Sequence, residues 1–360
     1  MESGRFLGVW VDRKLNWSAH CKAVLAKLTL QKLALTRLAA KTWGVNLIKA
    51  REVYTKVIRS AIAYGASAFH IPSEGDKERG IVKKLAKQQN AALRVVTRAY
   101  KATPIRNLEV ETAVPPLDLY LTKRRADFEE RLQLTGKDKL LEEARQKILR
   151  TWGRYKIKGS YRKRRNRHFT LQQAEAHFRP TTTDKAIAAT KAWKGQNSSE
   201  EALWLSWKQR VLRQPNTNLV DGIAREIFDD NNNNNNNEGT EIKKRLSKRL
   251  NQHEDLRKAQ SSLLIQARTE KIGFKGFLFK RKVPEVTSPI CSCGQAEETV
   301  RHVLTECTYN YGSEEELGLD FSSPAEVMRR LQVGEQIWPI LKRLARRLTE
   351  YRLAQELGDI

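Results

Sequence analysis

Near residue 300 the chain places Cys291-Ser292-Cys293-Gly294, then His302, then Cys307. The gaps are one, eight and four residues, in the order Cys, Cys, His, Cys. Thiolate sulfur and imidazole nitrogen are donors that zinc prefers. Four of them leave no open coordination position, so such a set builds structure and does not activate water. Gly294, directly after the second cysteine, permits a tight backbone turn around a metal. His302 and Cys307 lie five apart, and a helical turn starting near Glu297 would present both to one side. The competing reading is three buried thiols beside an ordinary surface histidine. Three cysteines and a histidine within 17 residues, in a chain with one other cysteine, weigh toward a single structural zinc ion. That other cysteine, Cys21, reads as a small core residue.

A second group of residues suits phosphate. Arg154, Lys156, Lys158, Arg162, Lys163, Arg164, Arg165 and Arg167 fall in one short run with no acidic residue, interleaved with Tyr155 and Tyr161. Guanidinium groups pair with phosphates bidentately, and tyrosines stack on unpaired bases. The run would also serve as a nuclear-import address, so a nuclear location is expected; the alternative is a solvated charge run in a linker. Trp193, Trp204 and Trp207 form either a stacking platform or, as is commoner, the core of a small helical unit.

Residues for polymerase or nuclease chemistry are missing from the pattern. Two-metal phosphoryl transfer needs paired aspartates on a hairpin. The one adjacent pair, Asp229-Asp230, runs into seven asparagines, Asn231 to Asn237, and does not lie between apolar strand residues. Asp221-Gly222 sits in what reads as a turn into a helix. No phosphate-cradling glycine loop and no Ser/His/Asp or Cys/His arrangement stands out.

The elements that must position these groups read as mainly helical. A β-prone run, Phe6 to Asp12, comes first, as one strand without a neighbour to pair with. A helix from about Ser18 to Ala40, with Ser18 as N-cap, carries Val24, Leu28, Leu35 and Leu38 on one face. A second, about Ala50 to Phe69, repeats Val53, Val57, Ala61, Tyr64 and Ala68. Gly75 and its neighbours break the chain. A third helix, about Lys77 to Tyr100, aligns Ile81, Leu85, Ala92 and Val96. Pro104 and Pro115-Pro116 mark extended passages, and another helix spans about Leu119 to Leu149. The asparagine tract cannot bury apolar surface and reads as a flexible linker. The last helix sets Ile337, Ile340, Leu341, Leu344, Leu348 and Tyr351 on one face.

Bulk composition agrees with a polyanionic partner. Lys and Arg number 67 against 41 Asp and Glu, a net charge of +26 in 360 residues. That imbalance repels itself unless nucleic acid or another polyanion is near. An anionic membrane competes less well, because no stretch approaches the roughly 18 apolar residues of a membrane span. The start, MESGRFLGVWVD, lacks a charged-then-apolar leader pattern.

Several motifs carry a resemblance to a known family. Phe6-Leu7-Gly8-Val9 with Asp12, then Leu15-Asn16-Trp17 and His20, resembles the stretch just after the polymerase palm of LINE-type (non-LTR) retrotransposon reverse transcriptases. Ala63-Tyr64-Gly65-Ala66 is similar to a thumb-helix element, as are Gln88-Gln89, Leu93-Arg94, Ala99-Tyr100, Thr103-Pro104 and Val114-Pro115-Pro116-Leu117. Toward the other end, Ala259-Gln260-Ser261-Ser262, Gln266-Ala267-Arg268-Thr269, Lys271-Ile272-Gly273 and Arg281-Lys282-Val283-Pro284 precede the cysteines in the order found in the tail of those elements. The resemblance implies that Cys291, Cys293, His302 and Cys307 ligate zinc in a knuckle that handles template RNA or target DNA during target-primed reverse transcription.

It implies an architecture too: a thumb-like helical bundle with a short N-terminal strand (1–125), a flexible basic middle region with the asparagine tract (126–240), a small zinc-knuckle region (241–312) and a C-terminal amphipathic helix (313–360). The palm with its Asp-Asp hairpin would lie upstream of Phe6, and neither an endonuclease nor a ribonuclease H is recognisable. The expectation is therefore a truncated, catalytically inactive remnant that binds RNA or DNA, with intact retrotransposon proteins as further candidate partners. Two alternatives stay open: the C-terminal part of an active RNA-directed DNA polymerase whose palm is encoded upstream, and a domesticated interaction protein using its last helix. Without a palm, Trp10 and Trp17 are expected to lie on an exposed apolar face.

Overall fold

The computed structural model describes residues 3–12, 16–39, 44–72, 80–140, 142–144, 146–147, 182–213, 228, 238–308 and 323–357. The basic run Arg154–Arg167 and the asparagine tract lie outside them. The chain is mainly helical, with one small antiparallel sheet.

The expected lone strand is a hairpin. β1 (Ser3–Phe6) pairs with β2 (Val9–Asp12), in register from Ser3 with Asp12 to Phe6 with Val9. Only Leu7 and Gly8 connect them, at φ 45° and 84°. Two consecutive positive φ values give the tight turn whose twist matches paired strands, and a leucine in the first of those positions hides the signal. The exposed apolar side chains here are Phe6 and Leu7 at the turn; Trp10 and Trp17 are half-buried, so the expected exposed pair is corrected.

Next comes α1 (Ser18–Leu38). Ser18 is its first helical residue, not its cap: Trp17 holds the cap position in the left-handed region. The Ser18 N–H donates to Asp12 Oδ2 at 3.1 Å and to Asn16 Oδ1 at 3.0 Å, so neighbouring side chains do the capping. Leu28 and Leu35 are buried as expected, whereas Leu38 faces solvent.

The second expected helix is broken into α2 (Leu47–Val53), a wide π-turn (Tyr54–Ile58), α3 (Arg59–Ala63) and α4 (Ala66–Phe69). Its buried stripe is Ala50, Tyr54, Ile58, Ile62 and Ala66, one residue away from the one expected. Val57 is 48% and Tyr64 54% exposed, while Ile58 is 2%. Two adjacent apolar stripes run along this sequence, and packing selects one of them. The helix stops at Gly65, whose φ of 72° a side chain rarely adopts.

Then follow α5 (Gly80–Thr97), α6 (Ile105–Thr112) and α7 (Leu117–Leu134). The α5 stripe of Leu85, Ala92 and Val96 is buried as expected. α6 was not expected. It fits between Pro104, which takes the N-cap position, and the extended pair Pro115-Pro116. α7 ends at Leu134; after a turn at Gly136 (φ 64°) helix resumes over 137–140, so the single span expected to Leu149 is interrupted there.

Part of the segment read as linker is structured: α8 (Thr182–Lys194) and α9 (Ser199–Arg213) pack against α7. Trp207 is buried with Leu203, Val211, Phe228, Ile242 and Leu246, and Trp204 stacks on it with ring centroids 5.8 Å apart. The tryptophans are thus core.

Among the described residues, five helices complete the order: α10 (Glu238–Asn251), α11 (Lys258–Arg268), then α12 (Lys275–Lys280) ahead of the cysteines, and, after a second π-turn (His302–Glu306), α13 (Pro324–Val333) and α14 (Ile337–Leu357). α11 is buried on two sides. Ile265 joins the N-terminal core with Leu85, Leu93 and Leu108, while Leu264 and Ala267 join the C-terminal core with Val303, Val327, Ile340 and Leu344.

Candidate metal centre

The chain enters the cluster through a short bridge between Ile290 and Glu297. Cys291 N–H donates to Ala296 O at 2.8 Å and Gly294 N–H to Cys291 O at 2.9 Å, closing a loop around Cys293. Gly294 sits at φ 77°, where its missing side chain removes a strain that other residues would carry.

The helical turn begins at Val300, three residues later than expected, and its π geometry solves a spacing problem. Five residues along an α-helix rotate by about 500°, leaving two side chains about 140° apart. The wider turn, with Cys307 N–H donating to His302 O at 2.7 Å, brings His302 and Cys307 to the same side.

The four predicted ligands come together. Their Sγ and ring-nitrogen atoms all lie within 4.8 Å of one another. Cys291 Sγ and Cys307 Sγ are 3.6 Å apart, and Cys293 Sγ is 3.2 Å from His302 Nε2. A tetrahedral zinc with Zn–S of about 2.3 Å and Zn–N of about 2.0 Å would set edges of about 3.8 and about 3.5 Å. The residues present therefore fit the ion, as a closed four-donor site. Cys291, His302 and Cys307 are buried and Cys293 half-buried. The backbone N–H of Gln295, then His302, Cys291 and Cys307, pull the Cys293 thiol down to about 6 against the opposing effect of burial. A thiolate near neutral pH is the form that binds metal. His302 Nδ1 faces Glu306 Oε2 at 3.6 Å, long for a hydrogen bond but placed to orient the ring.

α14 clamps this site from outside. Arg347 Nη2 donates to Ser292 Oγ, between the two cysteines, at 3.0 Å, and its Nε ion-pairs with buried Glu298. Glu298 in turn accepts the Lys275 N–H at 2.7 Å, and Arg343 Nε reaches Val303 O at 3.0 Å. Leu344 is fully buried in the core shared with Cys291 and Cys307. This counts against a free apolar face on the last helix.

A larger ionic node was not foreseen. Glu111 on α6 accepts from Arg249 Nε at 3.0 Å and from Arg268 Nη1 at 3.1 Å, with His253 Nε2 at 3.4 Å. All four side chains are buried. Arg268 Nε also donates to Leu331 O at 2.8 Å, and Arg249 Nη1 to Gln332 O at 3.0 Å. Burial pushes the Glu111 carboxyl up, but Arg249, Arg268 and His253 overcome it and hold the group well below the usual carboxylate range. The partners are 138 to 157 positions apart, so no local pattern announces them.

Other motif residues serve the core. Tyr54 Oη donates to Gln89 Oε1 at 2.7 Å, and Gln89 Nε2 and Arg59 Nη2 donate to Pro115 O at 3.2 and 3.1 Å. Cys21 is buried, and burial pushes its thiol up. Arg154, Lys156, Lys158, Arg162, Lys163, Arg164, Arg165 and Arg167 lie outside the described residues. Among the described residues, no helix is long and apolar enough to cross a membrane.

Fold and site together define a basic, mainly helical chain with a Cys3His cluster built into its C-terminal core. In sequence, the chain is 31% identical over 102 residues to a Retrovirus-related Pol polyprotein from type-1 retrotransposable element R1 4 of Nasonia vitripennis. The match takes in 28% of this chain and spans about a quarter (25%) of the length of that relative. This kinship supports a retrotransposon origin. No family model matches the chain, and no solved structure does.

Proposed function

We propose that this chain is the thumb and zinc-knuckle part of a LINE-type reverse transcriptase protein, that it binds RNA or DNA, and that it does not polymerise nucleic acid by itself. The observation that carries the reading is kinship to a retrotransposon Pol polyprotein in a chain of net charge +26. The Cys3His cluster supports it as a structural zinc site, since four protein donors leave no position for substrate. The inactivity follows from residue types: the one adjacent aspartate pair, Asp229-Asp230, runs into asparagines and has no flanking apolar strand pattern.

Titrating the full chain with a single-stranded RNA across a salt series tests binding. Phosphate contacts release counterions, so six of them give a log–log slope of about −4. A flat response overturns the reading. Primer extension on an RNA template is expected to yield no product, and nucleotide incorporation by the purified chain would refute the inactivity.

A further inference from the structure

The N-terminal bundle meets the Cys3His module at a small aromatic contact. Tyr100, just beyond α5, packs its ring against Phe277 of α12, with centroids 5.3 Å apart at 53°. Gly273 makes room for it: a Cβ there would stand 3.1 Å from the Tyr100 hydroxyl oxygen. Tyr100 nonetheless stays 40% exposed, and Phe279 on the same short helix 41%. An interdomain packing contact has no need to leave ring area in water.

The surroundings are cationic. From Lys271 to Val283 the chain has no acidic residue. Lys280, Arg281 and Lys282 follow Phe279 directly and are exposed, as is Lys101 beside Tyr100. Lys280 reaches Glu297 at 2.6 Å across an open surface, a pairing that solvent weakens. Beside the rings runs a groove of about 660 Å³ lined by Arg94, Arg98, Ala99, Leu263, Gln266 and Leu348 among others. One of its lining residues, Leu348, also borders the aromatic contact, 3.8 Å from where a Cβ on Gly273 would stand. An exposed tyrosine ring against a half-buried phenylalanine, flanked by exposed cations and a groove carrying two arginines, matches the two needs of an unpaired strand: a face for bases and charge for phosphates.

We propose that Tyr100 and Phe277, with Lys101, Lys280, Arg281 and Lys282, form a stacking platform for single-stranded nucleic acid. The proposal deepens the nucleic-acid-binding reading and rests on it. α12 then has two tasks, since Lys275 Nζ also reaches Ser292 Oγ of the metal loop at 3.2 Å. A strand on the platform touches the bundle and the metal module at once.

The test uses the full chain and a fluorescein-labelled 12-nucleotide oligouridine, with a blunt RNA duplex for comparison. Tyr100→Leu is expected to weaken single-strand binding about tenfold and leave duplex binding unchanged. The triple variant Lys280→Gln, Arg281→Gln, Lys282→Gln is expected to reduce the salt slope by about 2. Zinc content and thermal unfolding report whether each variant is folded. Folded variants that bind the single strand like the parent overturn the platform while leaving general binding intact. A parent chain that binds no nucleic acid overturns both readings. Should the variants unfold, photocrosslinking a 4-thiouridine oligonucleotide to the parent decides: crosslinks in 99–101 or 271–283 support the platform, and crosslinks confined elsewhere reject it.

Discussion

Cys307 contributes one of four candidate donors and closes the π-turn, its N–H donating to His302 O. Cys307→Ser is expected to remove about one equivalent of zinc, because a structural site binds metal as it folds. Elemental analysis of purified parent and variant checks this, and a parent purified without zinc would sink the assignment. Glu111 presents the opposite problem, a buried charge that its partners cannot lose cheaply. Glu111→Gln leaves Arg249 and Arg268 buried against a neutral amide and is expected to cost about 3–5 kcal/mol, read from the urea midpoint. His70 makes the chain acid-sensitive. Burial lowers its pKa from 6.5 to about 4, against the raising effect of Asp118, and its Nε2 meets Thr122 Oγ1 at 2.8 Å. A depressed folded value means the stability is present above 6.5 and is lost as the pH falls toward 4. The loss amounts to about 2 kcal/mol by pH 5 and about 3 by pH 4. His70→Gln should flatten that part of the decline in a pH series of unfolding curves; an unchanged profile would refute the assignment. The candidate metal ligands were legible in the sequence because they crowd into 17 residues. Glu111 was not, because its partners come from helices more than a hundred residues away.

At the scale of elements, periodicity told helix from strand more reliably than it chose faces. In α5 one stripe is apolar and the other basic, so the buried side is unambiguous. From Leu47 to Phe69 two neighbouring stripes are apolar, and the π-turn at Tyr54–Ile58 shifts the register between them. The hairpin was missed because a leucine occupies a left-handed turn position. Its docking shows how closely the pieces fit: Tyr64 Oη donates to Leu7 O at 2.6 Å, and a Cβ on Gly65 would come within 2.8 Å of Val9 Cγ2. Gly65→Ala therefore meets both the positive φ and a neighbouring side chain. It is expected to cost more than about 1 kcal/mol in thermal unfolding, and a neutral effect would mean that the hairpin does not pack there in solution.

At the scale of the molecule, α11 and the Glu111 node tie two cores into one unit. Leu250 and Ile265 sit in the N-terminal core, while α13 and α14 enclose the metal site on the other side of the same helix. Unfolding followed by tryptophan fluorescence and by zinc release is expected to show coincident transitions. Zinc release well before the fluorescence change would show two independent units. The sequence alone determined the mainly helical class, the donor set of the candidate metal site and the cationic character, because each is written in residue types at short spacing. Only the tertiary structure decided which stripe of each helix is buried, that the early strand has a partner, and that Glu111, Arg249, Arg268 and His253 share one buried point. Those outcomes depend on free energies of burial and pairing between residues far apart in the chain, and no local pattern records them.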